Sequence, residues 1–442
     1  MKKWNTLSES AFLKGFFAFF SAAFLIASVF MPDRATMFTG LWQILSNPAK
    51  ISTNYFHLGG YAATFLNMGL VGLCFLVLML ALKATPNNVT TFGFILTIGF
   101  SSWGINVLNI WPPILGVLGY CLVKQEKFGA NVNAMLFSTG IAPLISDLLV
   151  RYPHAETVGF NAVGILLALI VGYGIGFFLP AGLSHAPAVH KGFDLYSAAV
   201  PICFMAFFLN ATLYKTLGID LPAAVTDMTV ASRLTVNIFC IVVFMLCVVF
   251  AWILGCRPKD YWKLLGAREH VASVSGKLGN ATFLMNVGIY GLFILAYYNA
   301  IGASFNGVTF GIIFCMLCAA NSGSHPGNVW PIMAGYVLFS GVFGWFSQAL
   351  GGNFAQTVNA QAICIGLCFA NGLSPIVSKY GWGWGIVAGG AHYLLVTSVP
   401  NMHGGYCLYN GGFTAAVICL LLVPQLERFC KTRQERLAVK QK

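Results

Sequence analysis

The stretch GYAATFLNMGLVGL, Gly60–Leu73, returns as GNATFLMNVGIYGL, Gly279–Leu292, with Asn67 falling on Asn286 at an offset of 219 residues. Further pairs work outward from it. NIWPPILG from Asn109 returns as NVWPIMAG from Asn328 at the same offset, TGIAPLIS from Thr139 answers NGLSPIVS from Asn371, and HKGFDLY from His190 answers HGGYCLY from His403. The early LWQIL from Leu41 has YWKLL from Tyr261 as its partner. One unit is written twice, over residues 1–225 and 226–442. A long repeat of apolar segments is a building plan of secondary transporters, which bind their solute where the halves meet.

Composition fixes the solvent. With 58% apolar, 8% charged and 14% aromatic residues, the chain has almost no stretch longer than about 20 residues that could form a conventional polar surface, and it reads as an all-α integral membrane protein. The first apolar run, GFFAFFSAAFLIASVFM from Gly15, lacks a small-x-small cleavage site and reads as a retained helix. Windows of roughly 15–23 residues between polar breaks give about 14 spans. They lie near 13–31, 61–82, 90–108, 109–123, 132–150, 160–182 and 195–216, then 234–255, 280–300, 306–321, 328–347, 358–378, 382–399 and 407–425. Period-two alternation is absent, which excludes barrel strands.

Basic residues orient the chain, because Lys and Arg near span ends stay on the cytoplasmic side. Starting with the N-terminus inside, the outside receives Arg34, Lys50, Arg151, Lys215 and Arg233, and the inside the other nineteen of 24, from Lys2 and Lys3 through Arg268 to Lys442. Both termini then lie in the cytoplasm. An odd number of spans separates equivalent helices, so the repeats are inverted, as seven plus seven, or as five plus five if the third and fourth spans of each half form re-entrant hairpins.

The net charge of +12 sits in juxtamembrane loops and the tail, which suits orientation and anionic lipid and not nucleic acid. The thirteen cysteines fall mostly inside apolar runs without metal-ligand spacing. No phosphate loop, HExxH, GxSxG or paired carboxylates occur, which argues against an ATP-driven pump and against an enzyme. No cofactor or metal is expected.

Residues that break the apolar pattern at matching places are the candidate path. SSWGINVLNIWPP (Ser101–Pro113) corresponds to ANSGSHPGNVWP (Ala320–Pro331). Gly, Pro, Ser and Asn at that depth predict a broken helix or re-entrant hairpin whose freed backbone groups can hold a polar solute, the alternative being an ordinary short loop. The substrate-binding candidates are Asn106, Asn109, Asn321, Ser324, His325 and Asn328, joined by Asn67 and Asn286 on the glycine-rich second spans. An amide in hydrocarbon costs roughly 1–3 kcal/mol without a partner, so each of that last pair is either an interhelical clamp or a solute contact. His190 with Asp194 one turn later, and Asp147, which matches Lys379, are the proton-coupling candidates. The Gly140–Pro143 and Gly372–Pro375 steps read as kinks.

The motifs GNATFLMNVGIYG, SHPGNVWPIMAG and HGGYCLYNGG resemble those of an uncharacterised family of bacterial multi-pass membrane proteins with a duplicated domain of unknown function. That resemblance spans nearly the whole chain and implies a bacterial inner-membrane setting without a mechanism. The seven-plus-seven plan is similar, by span count alone, to the nucleobase and anion transporter architecture. The expectation is a secondary transporter of a small polar or anionic solute, binding at the repeat interface. Its partners would be the solute, the bilayer and a coupling ion, H⁺ or Na⁺, with a homo-oligomer left open. The alternatives are a channel or facilitator and a polytopic lipid-modifying enzyme.

Overall fold

The computed structural model describes residues 7–154, 156–223, 233–267 and 269–440. Lys2, Lys3, Arg268, Lys442 and the repeat boundary at 225/226 lie outside the described residues. Among those described, all regular structure is helical. The first half holds α1 (Glu9–Phe30), α2 (Met37–Ser46), α3 (Tyr55–Ala81), α4 (Asn88–Phe100), α5 (Trp111–Lys124), α6 (Val132–Ser138), α7 (Ala142–Val150), α8 (Ala162–His190) and α9 (Ala199–Asn210). The second holds α10 (Arg233–Ile253), α11 (Pro258–Leu265), α12 (Val274–Leu278), α13 (Asn280–Ala300), α14 (Gly307–Leu317), α15 (Pro326–Ala349), α16 (Gln361–Ala370), α17 (Ser374–Tyr380), α18 (Trp382–Leu395), α19 (Asn410–Phe429) and α20 (Arg433–Lys440).

Ten described segments are long and apolar enough to cross a membrane: α1, α3, α6–α7, α8, α9 with its extension to Thr216, α10, α13, α15, α16–α17 and α19. The fourteen expected windows divide here, because α4, α5, α14 and α18 have only 13, 14, 11 and 14 residues. At 1.5 Å per residue those run about 16–21 Å, short of a hydrocarbon core. Their starts and stops are written in the sequence. The Asn87 Oδ1 accepts the Thr90 N–H at 3.1 Å and the Asn306 Oδ1 accepts the Thr309 N–H at 2.9 Å, so α4 and α14 begin at equivalent asparagine caps. The α6–α7 and α16–α17 segments are interrupted by 3₁₀ turns at Thr139–Ile141 and Asn371–Leu373. Pro143 and Pro375 follow those turns and remove an N–H from the helical ladder.

Glycine sets how closely the helices approach. A Cβ on Gly116 of α5 would sit 2.0 Å from the Tyr173 carbonyl oxygen of α8, and one on Gly176 1.8 Å from that of Pro113. In the second half Gly335 of α15 and Gly389 of α18 stand in the same relation to Ile386 and Ile332, at 2.4 and 2.3 Å. These crossings exclude any side chain at the contact. Gly60 and Gly279 take φ of +84° and +92°, a conformation costly for any other residue, and kink the entry to α3 and α13 at matching places.

The halves pack into one another. Phe24 of α1 lies 5.3 Å from Phe314 of α14, and Phe65 of α3 lies 4.9 Å from Phe239 of α10, ring centre to ring centre. The α6–α7 and α16–α17 segments are almost wholly enclosed, whereas α1, α8, α10 and α15 turn wide apolar faces outward. That is the inverse of a water-soluble bundle and suits a lipid solvent. The exposed Trp42 on α2 and Trp262 on α11 are equivalent residues on short helices, placed as interfacial anchors would be.

Candidate functional site

The two breaks are held by the asparagines that the repeat pairs. The Asn67 amide donates to the carbonyls of Ser101 (2.7 Å) and Ile105 (2.9 Å), and the Asn286 amide donates to those of Ala320 (3.0 Å) and Ser324 (2.9 Å), each pair shifted by the repeat offset. Both side chains are fully buried. Both donors of each amide are spent on the segment that leaves α4 or α14, which is the clamp geometry. The next break residues repeat as well. Asn109 Oδ1 accepts the Asn106 N–H and its amide donates to the Gly104 carbonyl and to Ser146 Oγ, all at 2.9 Å. Asn328 does the same for His325, Gly323 and Ser378 at 2.9, 2.9 and 3.3 Å. Asn106 Oδ1 accepts the N–H of Leu108 and of Asn109, and its counterpart His325 accepts the Gly327 N–H on Nδ1. Asn321 Oδ1 takes the N–H and hydroxyl of Ser275, and Ser324 Oγ lies 3.0 Å from Ser374 Oγ. These eight residues gather around two hinges, where their polar atoms serve the chain itself.

The two hinges flank a crossing that sequence reasoning missed. After α8 the chain passes through an irregular run at Asp194–Ser197, where the Leu195 N–H donates to the Gly372 carbonyl at 3.1 Å, inside the 3₁₀ break of the other half. After His403 the equivalent run places the Leu408 N–H on the Gly140 carbonyl at 2.8 Å. Tyr196 lies over Gly372 and Tyr409 over Gly140, where a glycine Cβ would meet the ring at 2.5 and 2.6 Å. The Tyr196 hydroxyl donates among the Asn371 Oδ1 (2.8 Å) and the carbonyls of Cys315 and Cys368 (both 3.0 Å), whereas the Tyr409 hydroxyl is buried beside Thr139. α9 and α19 begin at this crossing without a side-chain cap, and a Cβ on Gly412 would meet Ala199 Cβ at 2.7 Å. Two helix N-termini, each the positive end of a helix dipole, therefore approach each other in the protein interior.

His190 and Asp194 belong to this crossing. The His190 Nδ1 accepts the N–H of Gly192 (3.2 Å) and Asp194 (3.4 Å), and its Nε2 lies 2.9 Å from Ser197 Oγ, folding the segment back. Asp194 Oδ1 accepts the Tyr196 N–H at 3.0 Å, and Oδ2 is buried without a partner among the described residues.

Two cavities converge here. One, of about 430 Å³, is lined by Val89, Asn133, Leu183, Ser184, Pro187, Ser197 and Tyr409. The other, of about 550 Å³, is lined by Lys50, Ile365, Val396, Thr397, Pro400 and Asn410. Asn133 and Ile365, Leu183 and Val396, Ser184 and Thr397, Pro187 and Pro400, and Ser197 and Asn410 are repeat-equivalent pairs. Lys50 precedes α3 and Val89 follows it, so the cavities lie toward opposite ends of that helix.

The chain matches the family described as protein of unknown function (DUF1576) over residues 33–215 and 272–428. It belongs to that family. The two matched segments carry the two hinges and the two crossing runs of this DUF1576 protein, while the equivalent helices α1 and α10 fall outside them. No curated protein and no solved structure matches it.

The third ionisable candidate, Asp147, stands apart from the hinges. Its Oδ1 accepts from Arg151 Nε at 2.8 Å and from Nη2, and its Oδ2 from the hydroxyls of Tyr214 (2.7 Å) and Tyr406 (2.8 Å). Lys50, also buried, donates to the Pro222 carbonyl at 2.6 Å and lies 4.7 Å from the Tyr406 ring centre. Burial pushes the Lys50 ammonium down to about 8, against the opposing pull of Asp147 and with the repulsion of Arg151. Lys50 enters the sequence reading only as an outside charge.

Proposed function

We propose that the protein is a secondary carrier for a small polar or anionic solute, built from two repeats, 1–225 and 226–442, each with five full-length spans and two shorter helices, and with opposite orientations in the membrane. The observation that carries this reading is the pair of cavities, which are lined by equivalent residues, lie toward opposite ends of α3 and converge on α9 and α19. With inverted repeats, each half can adopt the conformation of the other, which opens one cavity as it closes its partner and moves a solute bound at the crossing. Tyr196 and Tyr409 lie at the crossing beside the first cavity, which favours a carrier over an open channel. The basic residues argue for cytoplasmic termini, with the Ser184 cavity inside and the Lys50 cavity outside, and the bacterial inner membrane is the setting that the family resemblance implies. Asp194, with its bare Oδ2, is the proposed proton site and His190 its positioning partner.

A carrier must return its empty site across the membrane, and a solute waiting on the far side speeds that return. In proteoliposomes screened with labelled anions, nucleobases, amino acids and polyols, uptake of the transported solute should saturate and should accelerate when the vesicles are preloaded with the same unlabelled solute. Uptake that neither saturates nor responds to preloading would show a channel.

A further inference from the structure

Three buried charges lie close together around Tyr406, one of them, Lys50, lining the second cavity, and they do not balance. Lys50, Asp147 and Arg151 are 6%, 0% and 7% exposed. The Asp147 carboxylate is fully engaged by Arg151 and by the hydroxyls of Tyr214 and Tyr406. That leaves the Lys50 ammonium with one carbonyl, from Pro222, and the face of the Tyr406 ring. Neither carries a full negative charge. His403, the other titratable group near Lys50, accepts the Cys407 N–H on Nδ1 and supplies no anion. Among the described residues, two cations are thus set against one carboxylate. A buried charge without a counter-charge is costly, and a bound anion is the direct way to offset it.

The cavity is shaped for more than a bare ion. Lys50 lines it, and Asn410, 2% exposed, reaches it from the first turn of α19. Ile51, Leu221, Ile365 and Val396 supply apolar wall. A volume of about 550 Å³ holds a small organic molecule with room to spare. The uncapped α19 terminus adds the positive end of a dipole.

We propose that this cavity binds a monovalent organic carboxylate, its charge on Lys50 and its apolar body against Ile365 and Val396. The site deepens the carrier reading and rests on it for its role as a transport site, but binding can be measured without transport.

The test uses the purified full chain in detergent, with benzoate and butyrate as probes and benzamide as the uncharged analogue of benzoate. At pH 7 the carboxylates should raise the unfolding midpoint and benzamide should not. Lys50→Gln should weaken benzoate binding by about tenfold or more, while Lys50→Arg, which keeps the charge, should retain it. The unliganded midpoint of Lys50→Gln should hold or rise, since the variant removes a buried charge that has no free counter-charge among the described residues. The sign with pH follows from the lowered Lys50 value of about 8. Below it the ammonium is present and benzoate binds. As pH rises through it the charge is lost, so wild-type affinity should fall while the Lys50→Arg variant keeps its affinity to higher pH. Benzamide binding as well as benzoate, no shift from either carboxylate, or equal benzoate affinity in wild type and Lys50→Gln would overturn the site. Benzoate held through Lys50 without trans-stimulated uptake of any solute would sink the carrier reading alone. Trans-stimulated uptake of another solute, with both carboxylates ignored, would sink the site and spare the carrier.

Discussion

Replacing Asp147 by Ala is expected to cost about 3–5 kcal/mol of folding stability, enough to deplete the protein from the membrane. The carboxylate is wholly buried and accepts from Arg151, Tyr214 and Tyr406, which come from three separate parts of the chain. Its removal strips the nearest counter-charge from Arg151 and Lys50 and orphans two hydroxyls at once. Asp147→Asn should be milder, because the amide oxygen still accepts from Tyr214 or Tyr406, but it leaves the two cations unbalanced. A double variant, Asp147→Ala with Lys50→Met, should recover part of the loss by removing one stranded charge. Thermal unfolding of the four proteins in one detergent checks the order, and Asp147→Ala melting with wild type would contradict the assignment.

The second large effect is expected at the clamps. Asn67→Leu leaves the carbonyls of Ser101 and Ile105 without their donor, and Asn286→Leu does the same to Ala320 and Ser324. A buried acceptor without a partner costs about 1–3 kcal/mol, so each variant should lose roughly 2–4 kcal/mol, similar in the two halves. These carbonyls sit where the chain has left the helix and have no ladder to rejoin. Asn67→Asp should fare no better than Leu, since an ionised carboxylate cannot donate and would repel both carbonyls. Losses below about 0.5 kcal/mol, the range of a surface substitution, would show that the hinges hold without the amides.

The clamp pair illustrates what the sequence can carry. Asn67 and Asn286 are polar residues in glycine-rich apolar runs, and SSWGIN and NSGSHPGN mark the breaks they close. Local composition holds that information. The number of crossing segments is harder to read, since α4, α5, α14 and α18 are apolar enough to resemble spans and too short to be counted as such by length. The crossing at Tyr196 and Tyr409 was hidden for another reason. HKGFDLYS and HGGYCLYN are legible as a repeat, but its marked members are the ionisable His190 and Asp194, and a tyrosine in an apolar protein carries no signal of its own. What singles out Tyr196 is its reach to Asn371 and Gly372 in the other half. Lys50 is similar, because its partners Pro222 and Tyr406 lie far along the chain. Contacts at such sequence separation belong to the fold and not to any window of residues.

The central claim is that both cavities lead to one shared crossing that is reached from either side in turn, and it can be tested without knowing the solute. Ser197→Cys and Asn410→Cys would be made after replacing Cys74 and Cys430, the cysteines that are not buried. Each variant would be treated with a membrane-impermeant thiol reagent in right-side-out and in inside-out vesicles. The carrier account predicts that both positions react from both faces, with rates that change in opposite directions when a bound solute shifts the conformational balance. Reaction of Ser197→Cys from one face only and of Asn410→Cys from the other only would mean two closed pockets in a static protein, and would contradict it.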